Sequence, residues 1–186
     1  VDLVRSYTAL TEYRADGDRL LFNYLPNTYL RMVLAQGYYP GGELTGTEEQ
    51  MERDVQLIKE AGFNGVRMHQ KLEDERFYYF CDMAGLYVWC EMPSAYVSDE
   101  RTVHALQSQA EEALIQYRGY HSVMAFVMFN ENWGAQQVFA NERLQAMVNS
   151  AYWLATALAP GKLVIGNDGW EHTETDIVTL HNYAQE

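Results

Sequence analysis

The stretch AFVMFNENWG, Ala125 to Gly134, decides the fold class. Five consecutive apolar residues, Ala125 to Phe129, run directly into Asn130, Glu131, Asn132 and Trp133. An apolar run without polar alternation is a strand covered on both faces, as in a parallel sheet. Glu131 therefore stands where a buried strand emerges, flanked by two amides and an indole.

Working outward, the same unit repeats. TEYRADGDRLLFNYLP reads as a hairpin with Asp16-Gly17 as its turn, followed by a strand in YLRMVLAQG, Tyr29 to Gly37. Thr47 and Gln50 have capping-box spacing ahead of a helix with Met51, Val55 and Ile58 on one face and Gly62 near its end. Strand GVRMHQ comes next. Asp74 then opens a helix that places Phe77, Phe80, Cys81 and Ala84 together and stops at Gly85, and LYVWCEMP is a strand terminated by Pro93. A helix from about Asp99 to Tyr117 turns Val103, Leu106, Ala110, Ala113 and Tyr117 inward. After the opening stretch, Asn141 caps a helix with Leu144, Met147, Ala151, Ala155 and Leu158 on its apolar face, ending at Pro160-Gly161. KLVIGND and DIVTLHNYA are the last two strands. Strands alternating with helices predict an α/β fold with a parallel sheet.

Six such strands fit either a doubly wound sheet or a barrel, and the strand ends choose. A doubly wound sheet gathers its polar groups at one switch point, whereas a barrel collects them from nearly every strand. Here they are Gln36, then Arg67 and His69, Glu91, Asn130 and Glu131, Asn167 and Asp168, and finally His181, Asn182 and Tyr183. The glycines of QGYYPGG lack the GxGxxG spacing of a dinucleotide site. The expected fold is therefore a (β/α)8 TIM barrel of the α/β class, incomplete at about six of its eight units. A lead-in segment with the hairpin occupies residues 1–28, and the partial barrel residues 29–186.

Composition narrows the partners. At 186 residues and 48% hydrophobic, the chain can bury the core of one domain. With 26 acidic against 13 basic residues it lacks the clustered cations that nucleic acid or an anionic membrane requires. Cys81 and Cys90 have no metal-ligand spacing and read as buried thiols, which favours a cytoplasmic setting. The chain opens on Val1 rather than Met, so it is expected to be a fragment, with room for a signal peptide upstream.

Several segments together resemble glycoside hydrolase family 2, the retaining β-galactosidases, β-glucuronidases and β-mannosidases. FNGVRMHQ is similar to that family's strand bearing Asn, Val, Arg and His, and FYYFCDMAGLYVWCEMP to its following helix and acidic strand. MFNENWG is similar to its Asn-Glu acid/base motif, and IVTLHNYA to its sixth strand. The order of the motifs matches as well.

The resemblance implies a retaining β-glycosidase with Glu131 as general acid/base. A proton donor needs a raised pKa, which burial at a strand tip beneath Trp133 is expected to supply. It further implies that Asn130 binds the sugar's 2-hydroxyl, that Arg67 orients carboxylates, that His69 contacts sugar, and that Tyr183 hydrogen-bonds the nucleophile. Asp168, Trp170 and His181 sit suitably for substrate, Trp133 and Trp170 for stacking on sugar faces, and Glu91 for supporting the site. Each has a structural alternative: a strand-end amide capping free backbone, a satisfied histidine, a rim aromatic.

Two departures from the family pattern stand out. Members that bind magnesium near the acid/base carry a second Glu four residues after the strand's Glu; here that place is Ala95, so no cofactor is expected. The family's nucleophile lies on a seventh strand, expected beyond the end of this chain, and Glu91, Asp168 and Glu186 do not occupy its position. The expected partner is a carbohydrate substrate, with a second copy of the chain, or the hairpin of residues 11–25, covering the open barrel edge. The alternative function is a non-catalytic carbohydrate-binding or scaffold module built on the same barrel.

Overall fold

The computed structural model describes residues 2–26, 29–41 and 43–185. The 28/29 boundary, the last glycine of QGYYPGG and the Glu186 carboxylate lie outside the described residues.

Strands β1 (Tyr13–Asp16), β2 (Arg19–Phe22) and β3 (Leu25–Pro26) form a small antiparallel sheet. There follow β4 (Met32–Ala35), α1 (Glu48–Glu60), β5 (Gly65–Met68), α2 (Glu75–Ala84), β6 (Tyr87–Glu91), α3 (Glu100–Tyr117) and β7 (Val123–Asn130). A 3-10 turn at Val138–Ala140, α4 (Glu142–Leu158) and β8 (Leu163–Asp168) complete the order. The second sheet runs β4-β5-β6-β7-β8, every neighbour parallel and consecutive in sequence. A doubly wound sheet would reverse that order at its switch point; an unreversed series with helices between strands is barrel wall. Among the described residues, no helix is long and apolar enough to cross a membrane.

The helix boundaries follow from local chemistry. Thr47 accepts from the Gln50 backbone while Gln50 Oε1 accepts from the Thr47 backbone, a reciprocal capping box for α1. Asp74, Asp99 and Asn141 cap α2, α3 and α4 with their side chains. Gly85 closes α2 at φ 65°, a conformation cheap only for a residue without Cβ.

Register divides the sheet into two faces. Ala35, Met68, Cys90, Phe126 and Val164 align across the ladder. They meet Met51, Val55, Phe77, Cys81, Leu114, Val148 and Ala155 of the helices in the main core. The adjacent row, Leu34, Arg67, Trp89, Ala125 and Leu163, faces the barrel interior. Both cysteines are buried and free, and burial pushes the Cys90 thiol up to about 12. In β7, Met128 and Phe129 both join the helix-side core, so strict alternation ends there and Asn130 turns to Arg67.

The hairpin packs on the interior face. Tyr13 joins Met124, Ala125 and Leu163 in a second apolar cluster, with Leu20, Phe22 and Trp89 against it. Tyr13 also donates from its backbone to Gly161 and from its hydroxyl to His121 O, tying β1 to the bottom of the barrel. Its two-residue turn is Gly17-Asp18, with Asp16 paired to Arg19, one residue later than expected. The turn moves because Gly17, at φ 61°, takes the first positive-φ position.

The expected sixth strand is a difference. Residues 171–185 form no strand but run as a strap along β8. Side chains take the place of a backbone ladder: Asp176 Oδ2 accepts from Val164 N, Thr175 Oγ1 from Gly166 N and Thr179 Oγ1 from Gly169 N. Among the described residues, the direct backbone bonds from the strap to β8 and the glycine after it are Asp176 N to Val164 O and His181 N to Gly169 O. Gly166 permits the approach, since a Cβ there would stand 2.2 Å from Glu174 O.

Candidate active site

The C-terminal ends of β5 to β8 converge on one arginine. Arg67 Nε lies 3.0 Å from Glu91 Oε2, Nη2 lies 2.8 Å from Asp168 Oδ2, and Nη2 donates to Asn130 Oδ1 at 2.5 Å. Glu91, Asn130 and Asp168 are at most 1% exposed. The Nε contact is close enough for ion pairing but is not aligned as a hydrogen bond, and both Asp168 oxygens likewise lack an aligned donor. His69, just past β5, places Nδ1 3.0 and 3.2 Å from the two Glu91 oxygens. Two buried carboxylates therefore share one guanidinium, whose planar fork suits that task better than an ammonium.

Glu131 sits above this network on a strained turn. Its φ is 51° and that of Asn132 is 60°, left-handed values that cost a non-glycine residue about 1–3 kcal/mol and persist only where the surroundings enforce them. The enforcement is visible. Glu131 N donates to Asp168 O, Trp133 N to Asn130 O, and Asn132 and Asn167 exchange two hydrogen bonds. The turn aims the Glu131 carboxylate at the strap, where His181 Nδ1 lies 2.5 Å from Oε1 and the Tyr183 hydroxyl donates to the same oxygen. His181 Nε2 is 3.4 Å from Asp168 Oδ2, so this imidazole bridges two carboxylates. Gly169, at φ 111°, leaves the space: a Cβ there would lie 2.8 Å from His181 Nδ1 and 3.2 Å from Glu131 Cγ.

These contacts set the charge of Glu131 in a direction the sequence reading did not anticipate. Burial is the largest single influence and pushes its pKa up. The hydrogen bonds from Tyr183 and His181, with the charges of His181 and Arg67, together outweigh burial and hold the carboxyl below its ordinary value. The expected rise is thus absent in this arrangement, because a strand tip lined with donors is a different medium from a strand tip lined with apolar groups.

Eight of the ten anticipated residues join this cluster by direct contact: Arg67, His69, Glu91, Asn130, Glu131, Asp168, His181 and Tyr183. Trp170 joins at its edge, with its ring centroid 5.9 Å from that of His181 and 6.4 Å from that of Tyr183. Trp133 stands across Glu131, 42% exposed, facing a cleft of about 190 Å³ that it shares with His69, Gln70, Ala95, Tyr96 and Asn130. Ala95 presents only a methyl group there. Tyr183 reaches Glu131 rather than a second carboxylate, and it is 72% exposed.

Other residues escaped the sequence reading. Glu73 is buried, paired with Lys71 at 2.7 Å, and accepts from Tyr39. Lys71 also donates to Gly37 O, joining the loops after β4 and β5. Lys71 and Glu73 lie in the charged run KLEDER, which reads as solvated surface. The Asn132–Asn167 exchange is equally invisible in sequence, although Asn167 lies at the end of β8 and Asn132 in the turn just after β7.

Comparison with known proteins places this geometry in a family. The model for "Glycosyl hydrolases family 2, TIM barrel domain" matches residues 43–149, more than half of the chain. The chain belongs to glycosyl hydrolase family 2. It is 32% identical over 95 residues to a β-galactosidase of Vibrio vulnificus, covering 46% of this chain and 9% of that protein. A β-galactosidase of Lactococcus lactis is 30% identical over 95 residues, with 46% and 10% covered. Among solved structures, the apo form of Bacteroides uniformis β-glucuronidase 3 superposes with a TM-score of 0.75 at 25% identity, over 85% of this chain and 21% of that one. A Ruminococcus gnavus β-glucuronidase in complex with uronic deoxynojirimycin shares the fold with a TM-score of 0.76 at 19% identity, over 87% and 28%. The matched region is about a tenth of the length of these curated relatives.

Proposed function

We propose that this chain is the acid/base half of the active site of a retaining β-glycosidase, with Glu131 as the general acid/base. The observation that carries the reading is the turn at Glu131. Strained backbone, two interlocked asparagines and a glycine with no room for a Cβ are all spent on holding one carboxylate at the mouth of the barrel. Their convergence on one carboxylate at a strand tip supports a positioned acid/base.

Retaining hydrolysis needs two carboxyl groups about 5 to 5.5 Å apart, one donating a proton and one attacking the sugar. Glu91 and Asp168 are taken up by Arg67, so the nucleophile comes, in this reading, from a part of the protein outside this chain. Its arrival also resolves the charge of Glu131. A second carboxylate would draw the Tyr183 hydroxyl to itself, as the family resemblance implies, and add a like charge; both changes raise the Glu131 pKa and equip it to donate. The proton then passes from Glu131 to the glycosidic oxygen as that bond breaks. In the second step ionised Glu131 takes a proton from water, which attacks the glycosyl-enzyme. Asn130, held by Arg67, offers its amide to the sugar's 2-hydroxyl, and His69, Asp168 and His181 line the path to the neighbouring hydroxyls.

The test is to assay the complete open reading frame on a panel of nitrophenyl β-glycosides and follow product configuration by NMR. Hydrolysis of at least one glycoside with net retention is expected. Inversion, or binding of sugars without hydrolysis, overturns the proposal and leaves a carbohydrate-binding module.

A further inference from the structure

Glu131 stands between two aromatic corners. Trp170 and Tyr183 pack around His181, whose two ring nitrogens face Glu131 and Asp168. On the other side, Tyr96 and Trp133 have ring centroids 5.5 Å apart and planes at 87°. Among the described residues, no hydrogen bond or ion pair joins either side chain to Arg67, Glu91 or Asp168. Tyr96 is 81% exposed.

Large aromatic rings left in water usually belong to a mobile loop tip, but this corner is anchored. Gln136 Nε2 donates to Tyr96 O at 3.1 Å, binding the loop after β6 to the loop after β7. Gly134, at φ 80°, lets those loops touch, since a Cβ there would lie 3.3 Å from Ala95 O. Trp133 N donates to Asn130 O at 2.9 Å, fixing the indole's backbone two residues from the carboxylate. Two anchored rings therefore stand beside Glu131 with much of their surface open, Trp133 42% and Tyr96 81% exposed. Apart from Glu131 and His69, the cleft they share is lined by uncharged residues.

We infer that Tyr96 and Trp133 form the leaving-group subsite, a corner that accepts the apolar face of a sugar ring or an aryl group. This rests on the reading of Glu131 as the acid. The group that receives the proton lies on the open side of the donor, while the sugar whose bond is broken lies over the buried hydroxyl-binding cluster of Asn130 and Asp168. An aromatic face attracts the C–H edge of a ring and disfavours an anionic group lacking a counter-ion, so the subsite selects aglycones without negative charge.

The experiment uses the complete protein with one glycone and two leaving groups, a methyl and a phenyl β-glycoside, in wild type, Tyr96→Ala and Tyr96→Phe. Because Tyr96 is exposed and its hydroxyl is not used in packing, both variants should fold. Tyr96→Ala is expected to lower kcat/KM on the phenyl substrate by about 3- to 10-fold, the scale of one aromatic contact, leave the methyl substrate within about twofold, and be rescued by Tyr96→Phe. An equal loss on both substrates, or no loss on either, overturns the subsite. Glu131→Gln measured in parallel separates the two readings. If it hydrolyses methyl glycosides like wild type, the acid assignment fails, while the ratio between phenyl and methyl rates still judges the subsite by itself. A wild type that hydrolyses neither substrate overturns both.

Discussion

Replacing Arg67 by leucine removes one cation from between two carboxylates that have no water to turn to. Glu91 and Asp168 are 0% and 1% exposed, at 3.0 and 2.8 Å from the guanidinium. Breaking a buried ion pair by deleting one partner costs about 3–5 kcal/mol, because the survivor is left charged and dry. Here two survivors lose the same partner, with only His69 and His181 remaining beside them, so the upper end, about 4–5 kcal/mol, is expected. A domain is stable by about 5–15 kcal/mol in total, which makes this a large fraction of it. Arg67→Lys keeps the charge but loses the fork, and one charge-assisted hydrogen bond of about 1.5–3 kcal/mol goes with it. Arg67→Leu combined with Glu91→Leu should be less damaging than the sum of the two single changes, since an apolar pair replaces an orphaned charge. Urea unfolding followed by tryptophan fluorescence measures all four. With a denaturant slope of about 2 kcal/mol per molar, Arg67→Leu should lower the midpoint by about 2 M. A shift under about 0.5 M, or strict additivity in the double variant, would refute the reasoning.

Three further outcomes are expected. The side-chain hydrogen bond from Arg76, with Arg76's backbone N–H, holds the Asp74 cap down from 3.8 to about 2. Its contribution is complete above 3.8 and lost as pH falls through 2, so Asp74→Ala should cost about 1 kcal/mol at pH 7 and nothing measurable near pH 1.5 in denaturant titrations. Burial lowers the Lys162 ammonium from 10.5 to about 8. The unfolded chain holds that proton between those values, so wild-type stability rises with pH there; Lys162→Met should raise the melting temperature at pH 7, by an advantage that vanishes toward pH 10.5. Gly166→Ala drives a Cβ into Glu174 O, and it should release the strap to proteases within residues 171–185 while the helices stay protected.

The parts of the fold written in local chemistry were legible. Thr47 with Gln50, Asp74, Gly85 and Asn141 each satisfy backbone groups within a few residues, so their sequence neighbourhoods suffice. The unbroken run of β7 announced burial on two faces, and all eight of its residues are buried. What remained hidden depends on partners distant in sequence. DIVTLHNYA has the alternation of a strand, yet Thr175, Asp176 and Thr179 bond β8 through side chains and no ladder forms. The charge of Glu131 depends on His181 and Tyr183, fifty residues or more downstream. Burial was foreseeable at a strand tip, but the identity of the donors waiting there was not. Tyr96 gave no signal, since a lone tyrosine in EMPSAYV acquires meaning only when the next loop brings Trp133 beside it.

The assignment of Glu131 as proton donor is tested most directly by comparing leaving groups in the complete protein carrying Glu131→Gln. An alkyl aglycone cannot depart without a proton, whereas a dinitrophenolate barely needs one. The variant is expected to lose about 100-fold or more in kcat/KM on the methyl β-glycoside and only a small part of that on the dinitrophenyl β-glycoside of the same sugar. Equal losses on the two substrates, or none on the methyl glycoside, would show that the carboxylate at the tip of β7 does not donate the proton.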